Sequence, residues 1–150
     1  MIKQKTCSFF VSTNHLFTII LPYINEKINE GKKVKILSQK DLTEDVKKYL
    51  NSVNEFDKDN LLKLSWKGKE QNKKIDKNTV LFVIGEKEFV ENIEDKSDIL
   101  EIVKCYEIEN IEIIKNVTEE FEFYLRTSGK VKILKNSQKG QNSNTVTSQL

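Results

Sequence analysis

Hydrophobic and polar positions change period several times along the chain, and the changes mark its elements. Residues 6–11, Thr-Cys-Ser-Phe-Phe-Val, end in the aromatic and β-branched residues of a buried strand. Ser12, Thr13 or Asn14 then offers a short oxygen-bearing side chain to cap a helix. Along that helix Leu16, Ile20, Tyr23, Ile24 and Ile28 recur at three- and four-residue spacing, and Phe17, Ile19 and Leu21 widen the apolar face. Burial of most of the helix is expected. Pro22 falls inside it, removes one helical hydrogen bond, and predicts a kink or a second start. Gly31 is a left-handed stop, with Lys32 and Lys33 beside the negative helix end.

Val34–Leu37 reads as a second strand, and Asp41 or Thr43 caps a second helix with Val46, Tyr49 and Leu50 inward. Leu61–Trp66 reads as a third strand, followed by a polar, lysine-rich loop from Lys67 to Asn78. Thr79–Ile84 is the most continuous run of β formers, which predicts a central strand covered on both faces. After Gly85-Glu86 the chain turns into a helix carrying Phe89, Val90 and Ile93, and Asp98 caps a further helix with Ile99, Leu100, Ile102, Val103 and Tyr106 inward. Ile111–Ile114 reads as a short strand. Phe121–Arg126 and Lys130–Lys135 alternate across Thr127-Ser128-Gly129, a β-hairpin pattern with one wet face, expected at a sheet edge.

Alternation of strands and helices with tight links argues for parallel strands joined by right-handed crossovers. The expected fold is α/β, three-layered, with a mostly parallel (mixed) sheet and a C-terminal β-hairpin. From Asn136 onward Ser, Gln, Asn, Thr and Gly leave almost nothing to bury. One domain is therefore expected over 1–136, with 137–150 a disordered polar tail.

Composition narrows the function classes. The 25 basic and 23 acidic residues are interspersed and give a net charge of +2, too balanced to imply a nucleic-acid partner alone. The apolar run Leu16–Ile24 is broken by Thr18 and Pro22 and falls short of the roughly 20 residues that span a bilayer. No signal-peptide pattern opens the chain, so a cytoplasmic location is expected. Cys7 and Cys105 lie far apart and outside any CxxC pair, which reads as two reduced, half-buried fillers. No metal site, cofactor or catalytic residue is expected.

The candidate ligand residues cluster after the first strand. His15 is the only histidine and opens a helix at the mouth of the sheet, where open α/β folds bind ligands. Ser12, Thr13 and Asn14 can present hydroxyls, an amide and the positive helix end to an anion. Glu86, with Glu88, supplies carboxylates after the Thr79–Ile84 strand. Capping and packing are the plain alternatives for all of them. A second candidate surface is the lysine loop, with Trp66, Lys67, Lys69, Lys73 and Lys74, where lysines would neutralise phosphates and the indole stack on a base. Glu70, Asp76 and Glu88 dilute that patch, and a Trp-bearing charged loop suits a protein contact equally well.

The arrangement resembles the RecA-like core of P-loop ATPases, and within it the KaiC-like branch and the MEDS sensory domain. The resemblance rests on the aromatic first strand, the helix ending Ile-Asn-Glu-Gly-Lys-Lys, Val-Lys-Ile-Leu-Ser followed by Asp-Leu-Thr-Glu-Asp-Val-Lys-Lys-Tyr-Leu, Asn60–Leu64, and the closing hairpin. It covers most of residues 6–136 by pattern. A phosphate loop needs glycines that let backbone amides converge, a lysine, and a Ser or Thr for magnesium. Ser12–Phe17 has neither Gly nor Lys, and the strand that would end in a metal-assisting Asp ends in Gly85-Glu86. The resemblance therefore implies a RecA-like, MEDS-like sensor or protein-interaction module without ATPase activity, which self-associates or binds a protein partner. A small-molecule ligand also fits that expectation. Two alternatives stand beside it: an adaptor or inhibitor of a larger machine, similar to the RecA-like cell-division inhibitor SulA, and a nucleic-acid-binding accessory protein acting through loop 67–78. No membrane partner is expected.

Overall fold

The first strand, β1 (Gln4–Phe10), is paired on both sides, with β4 (Glu101–Glu107) and with β5 (Phe123–Arg126), both parallel to it. Beyond β4 lie β3 (Thr79–Gly85) and then β2 (Lys33–Ser38), again parallel, while β6 (Gly129–Lys132) closes the other side antiparallel to β5. The sheet order is β2-β3-β4-β1-β5-β6. This computed structural model describes residues 1–54, 57–68, 75–93, 98–110 and 112–134. The chain is thus α/β, with a six-stranded, mostly parallel sheet and a C-terminal antiparallel hairpin at its edge. The tail 137–150 lies outside the described residues.

Strands buried on both faces require cover on both. Helix α1 (Thr13–Asn29) buries Leu16, Phe17, Ile19, Ile20, Leu21, Tyr23 and Ile24. With α2 (Thr43–Asn51) and α3 (Lys58–Leu62) it shares a cluster with Phe10, Ile36, Phe82, Ile84 and Val103. Helices α4 (Lys87–Glu91) and α5 (Glu112–Thr118) pack on the opposite face, with Val90, Ile114 and Val117 against Phe9, Val83 and Tyr106. Alternation sorts each strand accordingly: Phe82 and Ile84 face α1, and Leu81 and Val83 face away. Among the described residues, no helix is long and apolar enough to cross a membrane.

Local signals account for the ends of α1. Ser12 caps it, its Oγ accepting the His15 N–H at 3.1 Å. At the far end Lys32 N–H donates to Lys27 O at 3.0 Å and Gly31 N–H to Ile28 O at 2.9 Å, with Gly31 at φ 82°. That is a Schellman stop. Pro22 is exposed and the helix runs through it as one element.

Three expected elements are corrected. Leu61–Trp66 is not a strand: Asp57 caps the short helix α3 through Asn60 N–H at 3.3 Å, and Trp66 follows in the connecting segment. Residues after Asp98 form strand β4, not a helix. Glu101 and Lys104 sit three apart and mimic the polar stripe of a helix, yet both are buried in the strand. Residues 112–118 are a helix rather than a strand, opened by Asn110 Oδ1 accepting the Glu112 N–H at 3.1 Å, with Ile114, Val117 and Thr118 inward at helical spacing. In each case the buried tertiary setting overrides a short apolar run of ambiguous period.

Glu101 explains how a carboxylate survives at 3% exposure. Thr6 Oγ1 and Tyr23 OH donate to its two oxygens, the latter at 2.6 Å, and Lys130 Nζ lies 3.3 Å from Oε2. These bonds tie β4 to β1, to α1 and to the hairpin. Buried polar groups persist only when satisfied. The same site pushes the Tyr23 hydroxyl far above its ordinary value, first by burial and then by the Glu101 charge. Burial likewise pushes Tyr124 up to about 12. Both tyrosines hold their protons more tightly folded than unfolded. Stability is therefore full below the ordinary tyrosine value and lost as pH rises from about 10 towards the folded values.

Tyr23→Phe removes one bond to a buried carboxylate and is expected to lower unfolding stability by about 2 kcal/mol near neutral pH. It should also flatten part of the alkaline loss. Urea denaturation at pH 7 and across pH 9–12 measures both. An unchanged midpoint and an unchanged alkaline slope contradict this role for Tyr23.

Candidate functional site

In an open parallel sheet, ligands bind outside the C-terminal strand ends, where neighbouring strands send their connections to opposite faces. Here β1 feeds α1 on one face, and its neighbour β4 feeds α5 on the other. At that end lies a cavity of about 420 Å³, within the size range of small-molecule sites. Its apolar lining is Phe10, Leu16, Leu42 and Ile84, all buried on the α1 side of the sheet. The polar lining comes from Thr13 in the first turn of α1, Ser38, Gln39 and Lys40 after β2, Glu86 after β3, and Glu107 ending β4.

Ser38 is the most informative of these. It is 2% exposed, and its Oγ has no hydrogen-bond partner among the described residues. Strand alternation places it on the same face as Ile36 and level with Ile84, its register partner on β3. A buried hydroxyl left unpaired costs about 1–3 kcal/mol.

The wall around Ser38 is built on two glycines. Gly68 has φ 94°, and a Cβ there would strike the Ser38 carbonyl. At Gly85 a Cβ would come within 2.7–2.9 Å of Gln39 and Phe89. The Gln39 side chain fills that space instead, its Oε1 accepting the Glu86 N–H at 2.8 Å, while Gln39 N–H donates to Ile84 O at 2.8 Å. The segment after β2 is thereby fastened to the end of β3.

The expected site residues divide. Thr13 and Glu86 line the cavity. Ser12 spends its hydroxyl on the helix cap. His15 turns back on its own loop, with Nδ1 accepting the Val11 N–H at 3.1 Å. Asn14 is exposed, and neither it, Ser12 nor His15 is part of the cavity wall. With the His15 N–H bonded to Ser12, the Thr13 and Asn14 amides are the remaining donors of the first turn.

Trp66 as a surface contact is overturned. It is 2% exposed, its Nε1–H donates to Leu61 O at 3.0 Å, and its ring meets Phe17 edge-on with centroids 6.0 Å apart. An indole so placed cannot stack on a base. Lys67 is exposed, while Lys69, Lys73 and Lys74 lie outside the described residues.

Sequence reasoning missed Ser38, Gln39, Lys40 and Glu107. Ser38 was findable as the residue ending a parallel strand. Glu107 was hidden by the helical reading of its strand. Cys7 and Cys105 form no disulfide and are fully buried, and burial raises the Cys105 thiol well above its usual range. Among the described residues no group of three or more His, Cys, Asp or Glu is placed to hold a metal ion.

No family model matches this chain, and no curated protein and no solved structure matches it.

Ser38→Ala removes the unpaired hydroxyl and is expected to raise the stability of the free protein by about 1 kcal/mol. Thermal or urea unfolding measures it. A loss of stability on this substitution shows that the hydroxyl is already satisfied.

Proposed function

We propose that this chain is a non-catalytic, RecA-like (MEDS-like) sensory or interaction domain, in which the cavity at the strand ends receives a small molecule. The observation that carries the reading is the cavity itself, together with the buried, unpaired Ser38 hydroxyl in its wall. The turn after β1 and the residue after β3 are the two places where a RecA-like ATPase would keep its phosphate loop and its metal-assisting acid. Thr13 and Glu86 from those places line one cavity here. The cavity supports a ligand-binding reading, while the glycines, lysine and aspartate of a phosphate-hydrolysing site are absent from these positions.

Occupancy would be signalled through the elements that meet at the cavity. Helix α1 supplies Thr13 and Leu16, and the segment after β2 supplies Lys40 and Leu42. The edge strand β6 offers a surface for self-association or for a protein partner. The nucleic-acid alternative loses its stacking residue with the burial of Trp66.

A thermal-shift screen of the full chain against nucleotides and common metabolites is expected to yield at least one saturable stabiliser, whose effect weakens in Thr13→Val. Turnover of magnesium ATP should not exceed the buffer background and should not change in Glu86→Gln. Robust hydrolysis abolished by Glu86→Gln would sink the non-catalytic reading. A screen without any stabiliser would remove the sensory one.

A further inference from the structure

The chemistry of the cavity wall narrows its ligand. Following the strand ends across the sheet, Lys40 comes after β2, Glu86 after β3, Glu107 at the end of β4, and the first turn of α1 after β1. The two carboxylates belong to neighbouring strands, which lie about 4.8 Å apart. The pairing of Gly85 with Tyr106 puts Glu86 level with Glu107. Glu107 is half-buried, and strand alternation sets it on the α1 face, beside Phe10 in register and in line with Val103 and Cys105. Below the carboxylates the wall is apolar, with Phe10, Leu16, Leu42 and Ile84, and includes the unpaired Ser38 hydroxyl.

A simple anion entering this cavity meets two acids against one lysine. A plain hydrocarbon desolvates the half-buried Glu107 and gives it no partner. An ammonium group answers the acidic rim, because its N–H donors suit two carboxylates at once. We infer that the cavity takes a small amine-bearing molecule with an apolar body, of amino-acid size, its ammonium held between Glu86 and Glu107 and its body against Leu16, Leu42 and Ile84. A carboxylate on the same molecule would find Lys40 at one side or the Thr13 and Asn14 amides at the other. The inference rests on the sensory reading above and names the ligand class of that same site.

Isothermal titration of the full chain with three sets of probes tests it: leucine and phenylalanine, their decarboxylated amines, and their deaminated acids. The amino acids and the amines are expected to bind saturably, and the deaminated acids at least about tenfold more weakly, since they lack the charge-assisted bonds. Glu107→Gln should weaken the amines by about tenfold with an unchanged unfolding midpoint, and Lys40→Gln should weaken the amino acids but not the amines. Deaminated acids binding as tightly as the amines overturn the inference, as does full affinity in both Glu86→Gln and Glu107→Gln. If no amine-bearing probe binds while a nucleotide or another metabolite does, the ligand class is wrong and the sensory reading stands. If nothing in either screen binds, both fall.

Discussion

Three adjacent strands, β3, β4 and β1, are buried on both faces, and most of the architecture follows from having to cover them. Val80, Phe82 and Ile84 need apolar cover on one side and Leu81 and Val83 on the other. Parallel strands also need crossovers, so the connecting helices become that cover. With α1 on one face and α4 and α5 on the other, the chain parts at the β1–β4 boundary, and the strand ends there are left open. The cavity is thus a consequence of covering a parallel sheet, and residue choice decides what it can hold. The Glu101 network stabilises this arrangement from the opposite end of the sheet, where Tyr23 and Lys130 bring α1 and the hairpin onto one buried carboxylate.

Residue choice at the open end differs from that of a phosphate loop. The turn after β1 keeps a helix cap in Ser12 and an ordered His15, but it has no glycine to let successive amides converge on phosphate. Glycines appear instead at Gly68 and Gly85, where they let the segments after α3 and β3 close tightly on Ser38 and Gln39. Close backbone approach has been used to shape a wall. Leaving Ser38 unpaired inside that wall costs stability in the free protein.

Much of the fold was legible because several segments have strong, unambiguous patterns. The α1 stripe from Leu16 to Ile28, the Gly31 stop, the continuous β run Thr79–Ile84 and the alternation across Thr127-Ser128 each admit one local structure. The misread segments are short and apolar with charges at ambiguous spacing. Glu101 and Lys104 imitate a helical polar face, and only their partners in three dimensions make a buried strand tolerable. Trp66 was read as surface because it sits among lysines, but Phe17 and the Leu61 carbonyl draw it inward. The site was half legible for a related reason. Thr13 and Glu86 follow recognisable strands, whereas Ser38 and Glu107 gain meaning only once strand order brings four chain ends together.

Ligand binding at the strand-end cavity, in a domain proposed not to hydrolyse nucleotides, is open to a direct test. Backbone chemical-shift mapping of the labelled full chain, with whichever stabiliser is found, tests it most directly. Saturable shifts confined to Thr13, Leu16, Ser38–Lys40, Gly85, Glu86 and Glu107 are expected, with Lys130 and the hairpin unmoved at the same concentrations. Shifts centred on the hairpin or on Lys67, with the strand ends silent, would contradict it.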